Sequence, residues 1–157
     1  YAKMKYLLKE KMKLIKEIKS QNLNIVFTNG CFDILHVGHT RYLNRAKELG
    51  DFLVVGLNSD SSVKENKGSD RPINKFNDRA KILSCLKAVD LVIKFEEKTP
   101  LKLIRAIMPD ILVKGGDYKI EDIVGSDEVI KQGGKVIPLG FYEGYSSSKY
   151  IKRIKKH

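Results

Sequence analysis

His36-Val37-Gly38-His39 sets two imidazoles three residues apart, just after a strand-like run at 25–29 and a turn containing Gly30. That spacing puts both rings on one face of a helical turn. A helix's first turn has unpaired N–H groups and the positive end of the dipole, so two imidazoles added there make a site for anionic oxygens, phosphate foremost. Gly30 and Gly38 lack a Cβ, which would let a nucleotide lie close to the backbone at the turn and between the rings. The plainer alternative is that each histidine is a packing residue. It suits a lone histidine better than a pair around a glycine at a helix start. The chain's third and last histidine is the terminal His157.

Periodicity supplies the elements that must hold this turn. A helix continues through 41–49 with Leu43 and Ala46 inward and ends at Gly50, and 52–57 is a second buried strand. Strand, helix, strand in this order predicts right-handed parallel crossovers and a doubly wound α/β sheet. Ligands collect beyond the carboxyl ends of such strands, where Gly30 and Asn58 both fall. Residues 60–75 are polar and broken by Gly68 and Pro72, so they read as a loop over the site, with Lys64, Lys67 and Arg71 able to meet phosphates. Asn77 or Asp78 would cap a helix running to about residue 89 with Ala80, Leu83 and Leu86 toward the core. Arg79, near its start, either points at the phosphates or pairs with a neighbouring acid.

A third strand covers 90–95, and Thr99-Pro100 reads as an N-cap followed by proline in the first position of a helix at 101–107. The short strand 111–113 delivers Lys114-Gly115-Gly116-Asp117-Tyr118 to the same edge. Lys114 is a candidate for the phosphates; Asp117 either orients the loop or binds a ribose or base. A helix at 126–132 precedes the fifth strand, 135–139, and Gly144-Tyr145-Ser146-Ser147-Ser148 opens a basic C-terminal helix with Tyr150, Ile151 and Ile154 as its apolar face. Hydroxyls and free N–H groups at a helix start again suit phosphate. At the other end, Met4, Leu8, Leu14, Ile15 and Ile18 form a loose amphipathic helix within 1–22 that packs on the body.

With 157 residues and 42% hydrophobic composition the chain suits one domain with a real core. Its apolar runs fall far short of the roughly 20 residues of a spanning helix, and no signal peptide precedes them, so it reads as cytoplasmic with no membrane partner. Cys31 and Cys85 show no metal-ligand spacing. Cys31 sits in the turn, where small size and a backbone N–H matter; a nucleophilic role is the sharper alternative. The net charge of +11 invites a nucleic-acid partner, but residues 1–19 and 149–157 carry +5 each, which leaves +1 for 20–148. The charge lies on the solvated faces of two terminal helices, and no basic, aromatic-rich strand offers a base-stacking surface.

Gly30-Cys31-Phe32-Asp33-Ile34-Leu35-His36-Val37-Gly38-His39 resembles GxFDxxHxGH, the signature of the nucleotidylyltransferase superfamily, whose histidines hold the triphosphate of an incoming nucleotide. Asn58 to Lys64, Lys67-Gly68, Arg71-Pro72-Ile73, Phe95 to Pro100, Pro109 to Tyr118 and Ile123-Val124-Gly125 are similar, in order and spacing, to the heptose 1-phosphate adenylyltransferase branch. Members of that branch often form the C-terminal domain of a bifunctional heptose kinase and adenylyltransferase. The likeness covers about residues 10–155. One departure is Ser146-Ser147-Ser148 followed by Lys149, where the family has Ser-Thr-Thr or Ser-Ser-Thr and then an apolar residue.

The resemblance implies a Rossmann-like five-stranded parallel sheet and transfer of AMP from ATP to D-glycero-β-D-manno-heptose 1-phosphate, releasing pyrophosphate. His36, His39 and Lys114 would be catalytic. Gly30, Cys31, Phe32, Gly38, Asp117, Ser146, Ser147 and Ser148 would bind the nucleotide. Asp33, Asn58, Asp60, Lys67, Arg71 and Arg79 would serve the sugar phosphate, with Asp33 alternatively capping the histidine helix. No carboxylate cluster looks like a metal cage, so Mg²⁺ is expected to arrive on ATP. A fused sugar kinase and a homodimer are open expectations. The rival assignment is a cytidylyltransferase acting on glycerol 3-phosphate or a similar alcohol phosphate.

Overall fold

The computed structural model describes residues 8–140 and 143–157. Five short runs rich in Val, Ile, Leu and Phe form strands: β1 (Ile25–Gly30), β2 (Phe52–Asn58), β3 (Leu91–Phe95), β4 (Ile111–Gly115) and β5 (Lys135–Leu139). Each carries a consecutive apolar run rather than an alternating pattern, as in a parallel sheet covered on both faces. The sheet is parallel in every pairing, in the order β3-β2-β1-β4-β5.

Among the described residues seven α-helices accompany them: α1 (Leu8–Ser20), α2 (Val37–Glu48), α3 (Asp60–Lys67), α4 (Phe76–Ser84), α5 (Leu101–Ile107), α6 (Ser126–Lys131) and α7 (Ser147–Ile154). Leu43 and Ala46 of α2 and Ala80 and Leu83 of α4 pack on one sheet face with Val26, Leu53 and Val55. Ile15 of α1, Leu103, Ile104 and Ile107 of α5 and Val129 of α6 cover the other with Phe27 and Val54. None of the described helices is long and apolar enough to cross a membrane.

The strand order reverses between β1 and β4, the place where an open α/β sheet leaves a crevice. Those two strands pair only at Val26 with Ile111 and Phe27 with Leu112. Beyond that point Tyr42, from α2, bridges them: its hydroxyl lies 2.6 Å from Thr28 Oγ1 and donates to the Val113 carbonyl at 3.4 Å.

Several local expectations need correction. Residues 60–67 are helical because the Ser59 hydroxyl accepts from the Ser62 N–H and Val63 inserts into the core; the loop proper covers 68–75. α4 begins after Lys75, so Asn77 and Asp78 lie inside its first turn, and it stops at Ser84. Pro100 occupies the cap position of α5, one place before the expected one, and Thr99 supplies no cap. In α1, Ile15 is buried and Leu14 and Ile18 pack beside it, but Leu8 is 59% exposed; Met4 lies outside the described residues. Of the expected apolar face of α7 only Ile151 is buried, with Tyr150 half-buried and Ile154 69% exposed.

Candidate active site

β1 ends at Gly30, and the chain turns sharply through Phe32, a non-glycine residue at φ 44°. That left-handed conformation is held by burial: the Phe32 ring lies where a Cβ on Gly30 would sit, 2.8 Å away, and packs 5.3 Å from the His39 ring. The Phe32 ring thus fills the Cβ side of Gly30, and Gly30 itself lines the cleft. His36 is the extended N-cap of α2, and its backbone N–H donates to His39 Nδ1 at 3.3 Å. An accepting Nδ1 leaves the ring hydrogen of neutral His39 on Nε2.

The two rings stack with centroids 3.8 Å apart. Burial, then the neighbouring His36, pulls His39 down to about 4, and burial also lowers His36. Before ligand binds, the pair is uncharged at neutral pH and offers N–H donors rather than cations.

The second wall is the start of α7. Ser146 is its extended N-cap, and the Ser147 hydroxyl donates to the Ile34 carbonyl at 2.7 Å, tying this helix to the histidine turn. Ser148 Oγ accepts a long 3.5 Å contact from Arg71. A Cβ on Gly38 would lie 2.9 Å from both His36 Nδ1 and Tyr145 Cβ, so the missing side chain lets the two walls close on each other. At the end of β4, Lys114 is half-buried and its ammonium is pulled below its ordinary value by burial, then by the charge of Lys67.

The loop above the cleft is organised by Asp33, which is 3% exposed. Arg71 Nε and the backbone N–H groups of Ile73 and Asn74 all donate to its carboxylate at 2.8 Å. Burial alone would raise that carboxyl, but these bonds outweigh it and hold it below the usual range. Asp33 does not cap α2; it lines the cleft with both carboxylate oxygens bonded to the loop, and it positions Arg71. Arg79 is also spent: it donates to the carbonyls of Asn74, Cys31 and Asn58 and to Asp60, at 2.7 to 2.9 Å. Fully buried, it holds the turn after β1 against the end of β2, and the expected substrate contact is replaced by this structural one.

Lys67, Arg71, Cys31, Phe32, Asn58 and Lys114 all line the cleft with the histidines and the three serines; Asp60, Arg79 and Asp117 do not. Asn58 donates its amide to Ser62 Oγ. The Cys31 thiol is pushed up by burial despite nearby Lys67 and Arg79, which opposes a nucleophilic role. Sequence reasoning missed Tyr42, Tyr145, Asn66 and Lys98, which also face the cleft. Their signal is three-dimensional: Tyr42 and Asn66 depend on the facing of their helices, and Lys98 and Tyr145 on the path of the chain between elements.

The cleft holds about 850 Å³, at the upper end of the roughly 300–1,000 Å³ typical of small-molecule sites. Residues 27–153 match the family described as cytidylyltransferase-like. The chain belongs to that family. Relatives of this cytidylyltransferase-like chain include the Bifunctional protein HldE of a Nitratiruptor species, 54% identical over 93% of the chain and 31% of the relative. HldE of Campylobacter concisus is 58% identical over 90% of the chain and 29% of the relative. The chain thus spans less than a third of the length of these curated relatives.

Among solved structures, the lipopolysaccharide core biosynthesis protein from Thermoplasma volcanium GSS1 is 35% identical, with TM-score 0.63 over 79% of this chain and 99% of that one. Pantoate-beta-alanine ligase from Francisella tularensis, 18% identical with TM-score 0.54 over 82% of this chain and 64% of that one, shares the fold alone.

Proposed function

We propose that this chain is an adenylyltransferase that moves AMP from ATP to D-glycero-β-D-manno-heptose 1-phosphate, forming ADP-heptose and pyrophosphate for surface-glycan synthesis. The observation that carries the reading is the meeting of two helix starts, His36/His39 on α2 and Ser146 to Ser148 on α7, with Lys114 at the crevice between β1 and β4. Such a cradle of N–H, hydroxyl and ammonium donors suits a polyphosphate. The lengthwise similarity to HldE proteins and to a lipopolysaccharide core biosynthesis protein supports a heptose acceptor. The family description favours one second reading, cytidylyl transfer to glycerol 3-phosphate or a related alcohol phosphate.

The sugar 1-phosphate brings its own anionic nucleophile, so the site has to align and neutralise rather than abstract a proton. An acceptor phosphate oxygen, held by Lys67 and Arg71, attacks the α-phosphorus in line. The new P–O bond forms as the bond from the α-phosphorus to the bridging oxygen breaks, and pyrophosphate leaves with that electron pair. His39 donates from Nε2, beside His36, Lys114 and the hydroxyls of Ser146 and Ser148, to oxygens on which charge grows, while the Ser147 hydroxyl stays on the Ile34 carbonyl. Mg²⁺ would be carried by the triphosphate, because among the described residues no three His, Cys, Asp or Glu side chains converge to hold a metal.

The chain would act as one nucleotidyltransferase domain in the cytoplasm. The remaining length of its bifunctional relatives is where a sugar kinase making the 1-phosphate would sit. Replacing His39 with alanine tests the cradle: turnover should fall by about 10²–10³-fold with the melting temperature kept. Wild-type turnover in that variant would remove His39 from the chemistry.

A further inference from the structure

His39 is oriented by a hydrogen bond from the His36 backbone N–H, whereas the buried His36 Nδ1 faces the His39 backbone N–H in a capping-box arrangement without closing a hydrogen bond. With that bond unclosed, stacking helps to define the angle of the His36 ring. One face lies on His39 at 3.8 Å. The Tyr145 ring is nearly parallel to His36, 25° between planes and 5.9 Å between centroids, and the Tyr150 ring lies 5.7 Å away. The Arg41 guanidinium sits 5.9 Å from the Tyr145 centroid, a cation over a ring that is already stacked. Tyr145 is also the residue whose Cβ closes on Gly38, and it leads directly into the serines.

We propose that Tyr145 is a positioning residue of the transfer reaction. Its ring fixes the His36 imidazole and locks the serine turn of α7 onto the start of α2, so that both halves of the phosphate cradle are set before ATP arrives. The proposal rests on the transferase reading, but its physical core, the orientation of His36, is observable without turnover. A displacement of about 1 Å at such a cradle can cost on the order of 10²-fold in rate, so an aromatic clamp on one side chain has kinetic consequences.

The test compares the wild-type chain with Tyr145→Phe and Tyr145→Leu, measuring pyrophosphate release, melting temperature and the NMR signals of the His36 ring. Tyr145→Phe keeps the stack and should stay within about twofold of wild-type kcat. Tyr145→Leu should fold but lose about tenfold or more in kcat with a smaller change in KM for ATP. Its His36 ring signals should lose their ring-current shift and broaden. A leucine variant with wild-type kcat, or one whose His36 signals are unmoved, overturns the proposal. If the wild-type chain itself releases no pyrophosphate, the transferase reading fails, and the His36 signals alone decide the positioning role.

Discussion

At the residue scale, the chain separates groups that touch ligand from groups that hold those groups still, and charge did not distinguish them beforehand. Arg79 and Asp33 look as suited to phosphate and sugar as Lys114 does. Arg79, however, reaches partners 48, 21 and 19 positions away, which no local pattern reveals. Removing one member of a buried charged network typically costs about 3–5 kcal/mol, so Arg79→Ala should shift the urea midpoint sharply downward. KM for both substrates should be unchanged in the molecules that remain folded; a stable variant with a raised KM would return Arg79 to substrate binding. The histidines make a second prediction. His39 sits near 4 in the folded chain against 6.5 otherwise, so between those values the unfolded chain holds a proton that the folded one lacks. Stability from this group is complete above about 6.5 and declines as pH falls toward 4. Between pH 6.5 and 4 the melting temperature should fall less in His39→Gln than in wild type, and an equal fall in both would contradict the shift.

At the scale of elements, strands and the histidine helix were legible because burial on both sheet faces leaves unbroken apolar runs, and Leu43 and Ala46 mark the inward side of α2. α3 was hidden because it carries one core residue of consequence, Val63, in an otherwise polar sequence, and its start depends on a single hydroxyl. Ser59→Ala should therefore cost about 1 kcal/mol in urea unfolding, and an unchanged midpoint would show that the cap contributes nothing. The cap of α5 was misplaced by one residue for a related reason. Thr99-Pro100 fits the usual cap-then-proline pattern, but the Ile104 N–H bonds to the Pro100 carbonyl, which puts proline itself at the boundary. The serine turn was legible in type but not in duty. Three adjacent hydroxyls read alike, and only the contacts of Ser147 with Ile34 and Ser148 with Arg71 tell them apart.

For the whole molecule, the site follows from topology: a parallel sheet that reverses its order between β1 and β4 must open there, and Tyr42 braces the opening. The strong positive charge belongs mostly to the two ends. Part of it is structural, with Lys11 and Lys19 of α1 donating to the carbonyls of Val92 and Met108, and Lys155, just after α7, pairing with Asp70 of the loop over the cleft. The cleft is positive in its own right through Lys67, Arg71 and Lys114, which suits two phosphate-bearing substrates. The most direct measurement is pyrophosphate release by the 157-residue chain with heptose 1-phosphate, assayed side by side with ATP and CTP. Adenylyl transfer predicts release with ATP well above that with CTP and a product containing AMP joined to the sugar phosphate. Release with CTP alone, or with neither nucleotide, would contradict it.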